Sequence, residues 1–275
     1  MSGICGVFTS SPEAISEAAV SGMLESMKHR GPDGNNVYAN GGAGIALGQN
    51  HLNAFAGAAE TSAPAFGRTD DFVIALEGCV TNRAELFQGP PPHRLNPDVE
   101  AVLAAYQAHG VDCLSKLDGP FSVALWDKRE RQLLLSRDKL GEKALYYFID
   151  PAQKYFIFAS EIKAILAHRS VRAELDADSL ALYFAFGYIP GAKTLFKDIY
   201  KLLPGESLQI GPAIQPQKKK YWHLPPIAGS RPQFRADRLG GCRRLRGASQ
   251  ILGSGKARRI GTKNPRMQDR RRALL

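Results

Sequence analysis

Ser2, Cys5, His51, Glu77, Cys79 and Asp98 carry hydroxyl, thiol, imidazole and carboxyl groups that can take part in chemistry. Ser2 follows Met1 and is small enough for that methionine to be removed, but a serine hydroxyl is a weak nucleophile at neutral pH and needs an adjacent base. Cys5 is an intrinsically better nucleophile, yet it sits in an apolar run (Ile4, Val7, Phe8) with nothing to lower its pKa. It therefore reads as a small buried residue. Glu77-Gly78-Cys79 closes the apolar run Phe72–Leu76, and Asp98 follows Asn96-Pro97. Taken alone, a glycine after a strand is a turn, and an aspartate after Asn-Pro is a first-turn residue suited to the helix dipole.

The elements that position these residues follow from periodicity. The apolar run ending at Phe8 reads as a buried strand. Ser11-Pro12 has the form of an N-cap followed by proline at the first helical position. Ile15, Ala18, Ala19, Met23 and Met27 then make one helical stripe, which Gly31-Pro32 stops. A turn-rich patch (Asp33 to Asn36) leads to a strand over Gly44–Gly48, and Ala54 to Pro64 reads as loop. Phe72–Leu76 is a further strand. Pro90-Pro91-Pro92 forbids regular structure, and Asn96-Pro97 opens a helix with Val99, Leu103 and Tyr106 on its inner face, closed by Gly110. Strands follow at Phe121–Trp126, Gln132–Ser136, Ala144–Phe148 and Tyr155–Ala159, with helices at Glu161–His168 and Asp178–Phe186. Clustered strands and separate helices argue for an α+β layered architecture.

Composition narrows the class. The 275 residues are 44% apolar and carry a formal charge of +10. That charge is local: residues 226–275 hold 12 Arg and 2 Lys against 2 Asp, leaving the first 225 residues at −2. A nucleic-acid role for the folded part is therefore not expected. There is no apolar run of about 18 residues for a membrane span and no secretory signal pattern. The four cysteines are scattered, without a C-x-x-C pair, which reads as free thiols in a reducing cytoplasm and no metal site. Gly253-Ser254-Gly255-Lys256 only partly matches a phosphate loop, with Gln250 at the first glycine position and Ala257 at the Ser/Thr position.

Met1-Ser2-Gly3-Ile4-Cys5-Gly6-Val7-Phe8, together with His29-Arg30-Gly31-Pro32-Asp33, resembles the start of class II glutamine amidotransferases of the asparagine-synthase branch. Ser136-Arg137-Asp138-Lys139-Leu140-Gly141-Glu142-Lys143-Ala144-Leu145-Tyr146-Tyr147 and Phe158-Ala159-Ser160-Glu161-Ile162-Lys163-Ala164 are similar to further signatures of that family. Leu117–Asp127, Phe186–Pro190, Leu203–Gly205 and Tyr221-Trp222 extend the resemblance across residues 1–222. It implies a four-layer αββα N-terminal-nucleophile hydrolase sandwich of two antiparallel sheets. In that family an N-terminal cysteine, freed by loss of Met1, attacks the side-chain amide of glutamine. Its own α-amine is the base, with a pKa of about 7.7–8.0.

Position by position, the resemblance implies a changed site. Ser2 stands for the nucleophilic cysteine, and His51 for an arginine that clamps the substrate α-carboxylate. Glu77 stands for the asparagine that donates to the oxyanion, and Cys79 for a glutamate that helps hold substrate. Gly78, whose backbone N–H completes the oxyanion hole, and Asp98, which binds the ammonium, are retained. Arg30-Gly31-Pro32-Asp33 is expected to be a shaped loop that supports the site without reacting.

The family's ATP and Mg belong to a synthetase domain with no counterpart here, so no cofactor is expected. Residues 1–210 are read as the amidotransferase domain and 211–225 as a connector towards a missing synthetase domain. Residues 226–275 are read as a basic tail, either disordered or an out-of-frame translation. The function expected is a degenerate glutaminase domain. The alternatives are an amidohydrolase using Ser2 and a non-enzymatic docking module. L-glutamine is the expected ligand, and a homodimer or a separate synthetase subunit the expected assembly.

Overall fold

The computed structural model describes residues 2–10, 15–53, 64–87, 89–90 and 92–224. The expected Ser11-Pro12 cap, most of the 54–64 loop, Pro91, the glycine-rich 253–256 segment and the basic tail lie outside these residues. Two six-stranded antiparallel sheets stack face to face. The first sheet takes β1 (Gly3–Thr9), β2 (Gly34–Asn40), β3 (Ile45–His51), β8 (Tyr146–Ile149), β9 (Tyr155–Ala159) and β10 (Ile199–Lys201), in the order β10-β8-β9-β1-β3-β2. The second takes β4 (Phe66–Arg68), β5 (Phe72–Gly78), β6 (Phe121–Asp127), β7 (Gln132–Arg137), β11 (Glu206–Ile210) and β12 (Gln217–Lys220), in the order β12-β11-β7-β6-β5-β4.

Both faces of each sheet's centre are covered, which is why the central strands β1, β5, β6, β7 and β9 read as near-continuous apolar runs. Along β1, Ile4 and Phe8 point between the sheets, while Cys5 and Val7 point outward. The outer face of the first sheet packs on α1 (Ala18–Ser26) and α4 (Ile162–Leu166) through Val20, Met23, Ala164 and Ile165. The outer face of the second sheet packs on α3 (Pro97–His109) through Val99, Val102 and Leu103, beside the short α2 (Arg83–Leu86). Between the sheets, Phe8 and Trp126 meet with ring centroids 5.3 Å apart. The result is the expected αββα sandwich. A fifth helix, α5 (Ala177–Phe186), follows. None of the described helices is long and apolar enough to cross a membrane.

Two readings need correction. The patch from Asp33 to Asn36 is not simply a turn: β2 begins at Gly34 and pairs with β3 along its whole length, Gly34 with His51 and Asn36 with Gln49. Pairing with a buried neighbour overrides the weak strand propensity of Gly-Asn-Asn. The helix stopped by Gly31-Pro32 ends earlier, at Ser26, and a 3₁₀ turn over Lys28–Arg30 intervenes. The second sheet is completed by β12, which pairs with β11. The Asn96-Pro97 opening behaves as expected, with the Asn96 side chain accepting from Asp98 N at 3.0 Å and Gly110 capping α3 at φ 57°.

Candidate functional site

Period-2 alternation on four strands collects the site. The inter-sheet series Ile4 and Phe8, Ile45 and Leu47, Val73 and Ala75, and Phe156 and Phe158 are apolar. Two residues further along each strand, at one end of the sandwich, the same faces carry Ser2, Gln49 with His51, Glu77 and Ser160. The β1–β3 ladder ends at Gly3 opposite Asn50, so Ser2 and His51 are the next residues along the two strands. The structure thus brings Ser2, His51, Glu77 and Gly78 to one polar mouth.

Glu77 dominates this end electrostatically. Its side chain is 0% exposed, and the Arg30 guanidinium donates to Oε1 through Nη2. Ser160 Oγ donates to Oε2 at 2.6 Å, and that same Oγ accepts from Ile4 N at 2.9 Å. Arg30 Nε donates to the Ser2 carbonyl at 3.0 Å, and Nη1 to Glu161 Oε1 at 3.1 Å. One guanidinium therefore joins the first described residue to the end of β5 and to the end of β9. Gly3 permits this, because a Cβ there would lie 3.2 Å from Arg30 Cδ. Burial pushes the Glu77 carboxyl above its ordinary range, against the opposing pull of the Arg30 charge and the Ser160 hydrogen bond. Glu161 goes the other way: burial raises it, but donors from Arg30, Lys163 and His29 outweigh that and hold it low.

The residues after Glu77 are fixed by the second sheet. Gly78 has φ 104°, and a Cβ there would lie 2.0 Å from the Pro120 carbonyl oxygen. A glycine is thus required on steric grounds alone. Cys79 follows, exposed and free. Burial and then the Asp98 charge raise its thiol pKa. Asp98 reaches this turn from the first turn of α3, accepting from Val80 N at 3.0 Å with Arg83 Nε 3.6 Å away. Burial raises its pKa, partly offset by those two partners.

At the other side of the mouth the His51 ring lies over Gly34, whose missing Cβ would meet Cε1 at 2.6 Å. His51 Nδ1 is buried without a hydrogen-bond partner among the described residues, as is Gln49 Oε1. Cys5 is 0% exposed and faces the α1–α4 layer, turned away from this mouth, with burial raising its thiol pKa.

The profile of the glutamine amidotransferase domain family matches residues 1–222. This chain is a class II glutamine amidotransferase domain of the asparagine-synthetase type. It is 29% identical over 245 residues to a putative glutamine-hydrolysing asparagine synthetase of Methanocaldococcus jannaschii, covering 82% of this chain and 47% of that protein. It is 31% identical over 194 residues to glutamine-hydrolysing asparagine synthetase 3 of Bacillus subtilis, covering 68% and 31%. The chain thus spans about a third to a half of these relatives. Among solved structures, the PRPP amidotransferase of B. subtilis superposes with a TM-score of 0.50 at 15% identity, over 81% of this chain and 50% of that one. The allosteric regulatory enzyme of purine biosynthesis superposes with 0.53 at 15%, over 81% and 49%. At that identity the likeness establishes the fold.

In this amidotransferase domain the strand ends are tied together by residues that the sequence places elsewhere, Arg30 in a supporting loop and Ser160 and Glu161 in a signature. A usable signal existed for Ser160, the first polar residue on the inter-sheet face after Phe156 and Phe158. None existed for the Arg30–Glu77 pair, whose partners are 47 residues apart.

Proposed function

We propose that this amidotransferase domain is degenerate, keeping the N-terminal-nucleophile fold while hydrolysing little or no L-glutamine. The observation that carries the reading is the engagement of Glu77 at the position corresponding to the family's oxyanion-donating asparagine. A carboxylate only accepts hydrogen bonds, and its two oxygens are already taken by Arg30 and Ser160. Developing negative charge beside it meets a like charge where the family offers a donor. Loss of one such donor costs about 10²–10³ in rate, and an added charge costs more.

The remaining changes point the same way. Ser2 offers a weaker nucleophile than a thiol. His51 lacks the forked, permanently charged donor that clamps a carboxylate, and Cys79 cannot replace a carboxylate against an ammonium. Asp98 is retained, but its Oδ1 already accepts from the Val80 N–H. Gly78 is retained at a place where sterics alone demand it. The network around Glu77 reads as a structural clamp occupying a former catalytic position.

The test is glutamate release from glutamine by the purified chain, with Met1 removal checked by intact mass. Little or no release is expected, both from the native chain and after Ser2→Cys alone. Turnover by the native chain that Ser2→Ala abolishes would refute the reading and make this an active serine amidohydrolase.

A further inference from the structure

The helical layer outside the first sheet holds a small cavity far from the mouth. It has a volume of about 220 Å³ and lies where the start of α1 meets the end of α4, lined by Ser16, Ala18, Gly22, Tyr155, His168 and Arg169 among others. Small residues make the room. At Gly22 an added Cβ would meet nothing nearer than the Ala167 carbonyl oxygen, 4.0 Å away. Tyr155 pairs with Thr9, at the end of β1 remote from Gly3, so roughly 20 Å of strand separates the cavity from Ser2.

The polar part of its lining consists of donors. His168 is only 8% exposed. Its Nδ1 accepts from Ser170 N at 3.3 Å, which fixes the neutral tautomer and leaves Nε2–H as a donor without a partner among the described residues. Burial and the Arg169 charge both favour that neutral form. The Arg169 guanidinium and the hydroxyls of Tyr155 and Ser16 likewise make no hydrogen bond or ion pair among the described residues. No described Asp or Glu lines the cavity. Glu17, the N-cap residue of α1, is exposed and makes no side-chain cap bond. The positive end of this nine-residue helix therefore opens at Ala18, on the cavity wall.

Converging donors, one of them permanently charged and none opposed by a carboxylate, are matched by an acceptor that carries negative charge. Size decides which. A volume of about 220 Å³ is the room of roughly seven waters and falls below the ~300 Å³ at which pockets for drug-sized ligands begin. It admits a tetrahedral oxyanion and excludes a nucleotide. We propose that this cavity binds a small oxyanion of phosphate size, held by Arg169, His168, Tyr155 and Ser16 at the opening of α1. A cation is repelled by Arg169 and by the helix end, and a neutral solute gains nothing from either. The site belongs to the α1–α4 layer and is independent of whether Ser2 turns over glutamine.

The experiment titrates inorganic phosphate into the full-length chain at constant pH and ionic strength, with chloride as the matched control. NMR follows the His168 ring and the amides of Ala18, Ala19 and Gly22. Saturable shifts at these groups with a Kd of about 1 mM or tighter are expected, and none with chloride. Arg169→Gln, at an exposed position, should weaken binding about tenfold or more. Gly22→Leu should abolish it by filling the space above the helix, with the melting temperature held or raised, since leucine is the better helix former. Glycerol phosphate is the second arm: tighter binding than phosphate identifies a phosphate ester as the occupant, weaker binding identifies the free ion, and either supports an oxyanion site. Three results would overturn the proposal: no saturable shift below about 10 mM phosphate, equal shifts with chloride, or unchanged affinity in either variant.

Discussion

Replacing Glu77 by glutamine keeps the shape of the side chain and removes its capacity to carry charge. In the native fold its carboxyl is fully buried against an Arg30 guanidinium that is itself only 13% exposed. Removing one partner of a buried ion pair leaves the other uncompensated and costs about 3–5 kcal/mol. Arg30 retains Glu161 at 3.1 Å and the Ser2 carbonyl at 3.0 Å, so the lower part of that range, about 3 kcal/mol, is the expected loss. For a domain of this size that is a fall of roughly 6–12 °C in melting temperature. Urea titration at unchanged m-value gives the free energy directly. The double change Glu77→Gln with Arg30→Met, which removes both charges, should recover a substantial part of the loss, as a double-mutant cycle reads. A Glu77→Gln loss within about 0.5 kcal/mol would refute the reasoning. It would mean that Glu77 keeps its proton in the fold, as burial alone would have it, and that Glu161 holds Arg30.

Gly78→Ala should lose about 3 kcal/mol in the same urea assay, since φ 104° and the Pro120 carbonyl both oppose a Cβ; a neutral change would show that the turn relaxes freely. Burial, reinforced by the Arg169 charge, depresses His168 below its ordinary value. Its contribution to stability is therefore full above about pH 6.5 and is lost as pH falls through the depressed native value. Stability measured down from about pH 7.5 should decline through that window, and His168→Gln should flatten the decline. Cys79 is exposed while Cys5 and Cys113 are buried, so thiol labelling read site by site in native buffer should modify Cys79 quickly and the other two only on unfolding. On the proposed degenerate reading, Ser2→Cys combined with Glu77→Asn supplies a thiol and an amide donor together and should release glutamate faster than Ser2→Cys alone; equal rates would show that the clamp is not what blocks chemistry.

What was legible in the sequence depended on how local its cause was. Strands buried on both faces announce themselves as apolar runs, so β1, β5, β6, β7 and β9 could be read directly. The cap at Asn96 and the stop at Gly110 are written within one helix. β2 was partly hidden, because Gly34-Asn35-Asn36 carries turn residues and its strand character comes from pairing with β3. β4 has only three residues and exists through β5. The positions of Ser2, His51, Glu77 and Asp98 followed from an ordered set of family motifs; no single residue among them is distinctive.

The clamp was illegible for a different reason, and that reason bears on the site itself. Arg30 lies on a 3₁₀ turn, Glu77 at the end of β5 and Ser160 just beyond β9 in the opposite sheet, with Glu77 and Ser160 83 residues apart. Each alone is an ordinary polar residue at an element end, and only the stacking of the two sheets makes them meet. That stacking also decides what Glu77 does. On an open strand end, a carboxylate in place of an amide would be a solvated side chain with little consequence. Enclosed between sheets, it must be either neutral or paired, and Arg30 is the cation that pairs with it. Once that pair forms, the guanidinium is committed to the Ser2 carbonyl and to Glu161 as well. Glu77→Asn then disturbs the anchoring of Ser2 along with the charge at the end of β5. For this reason Glu77→Asn on its own should behave first as a stability mutation, and restoration of catalysis should require changes on both sides of the clamp.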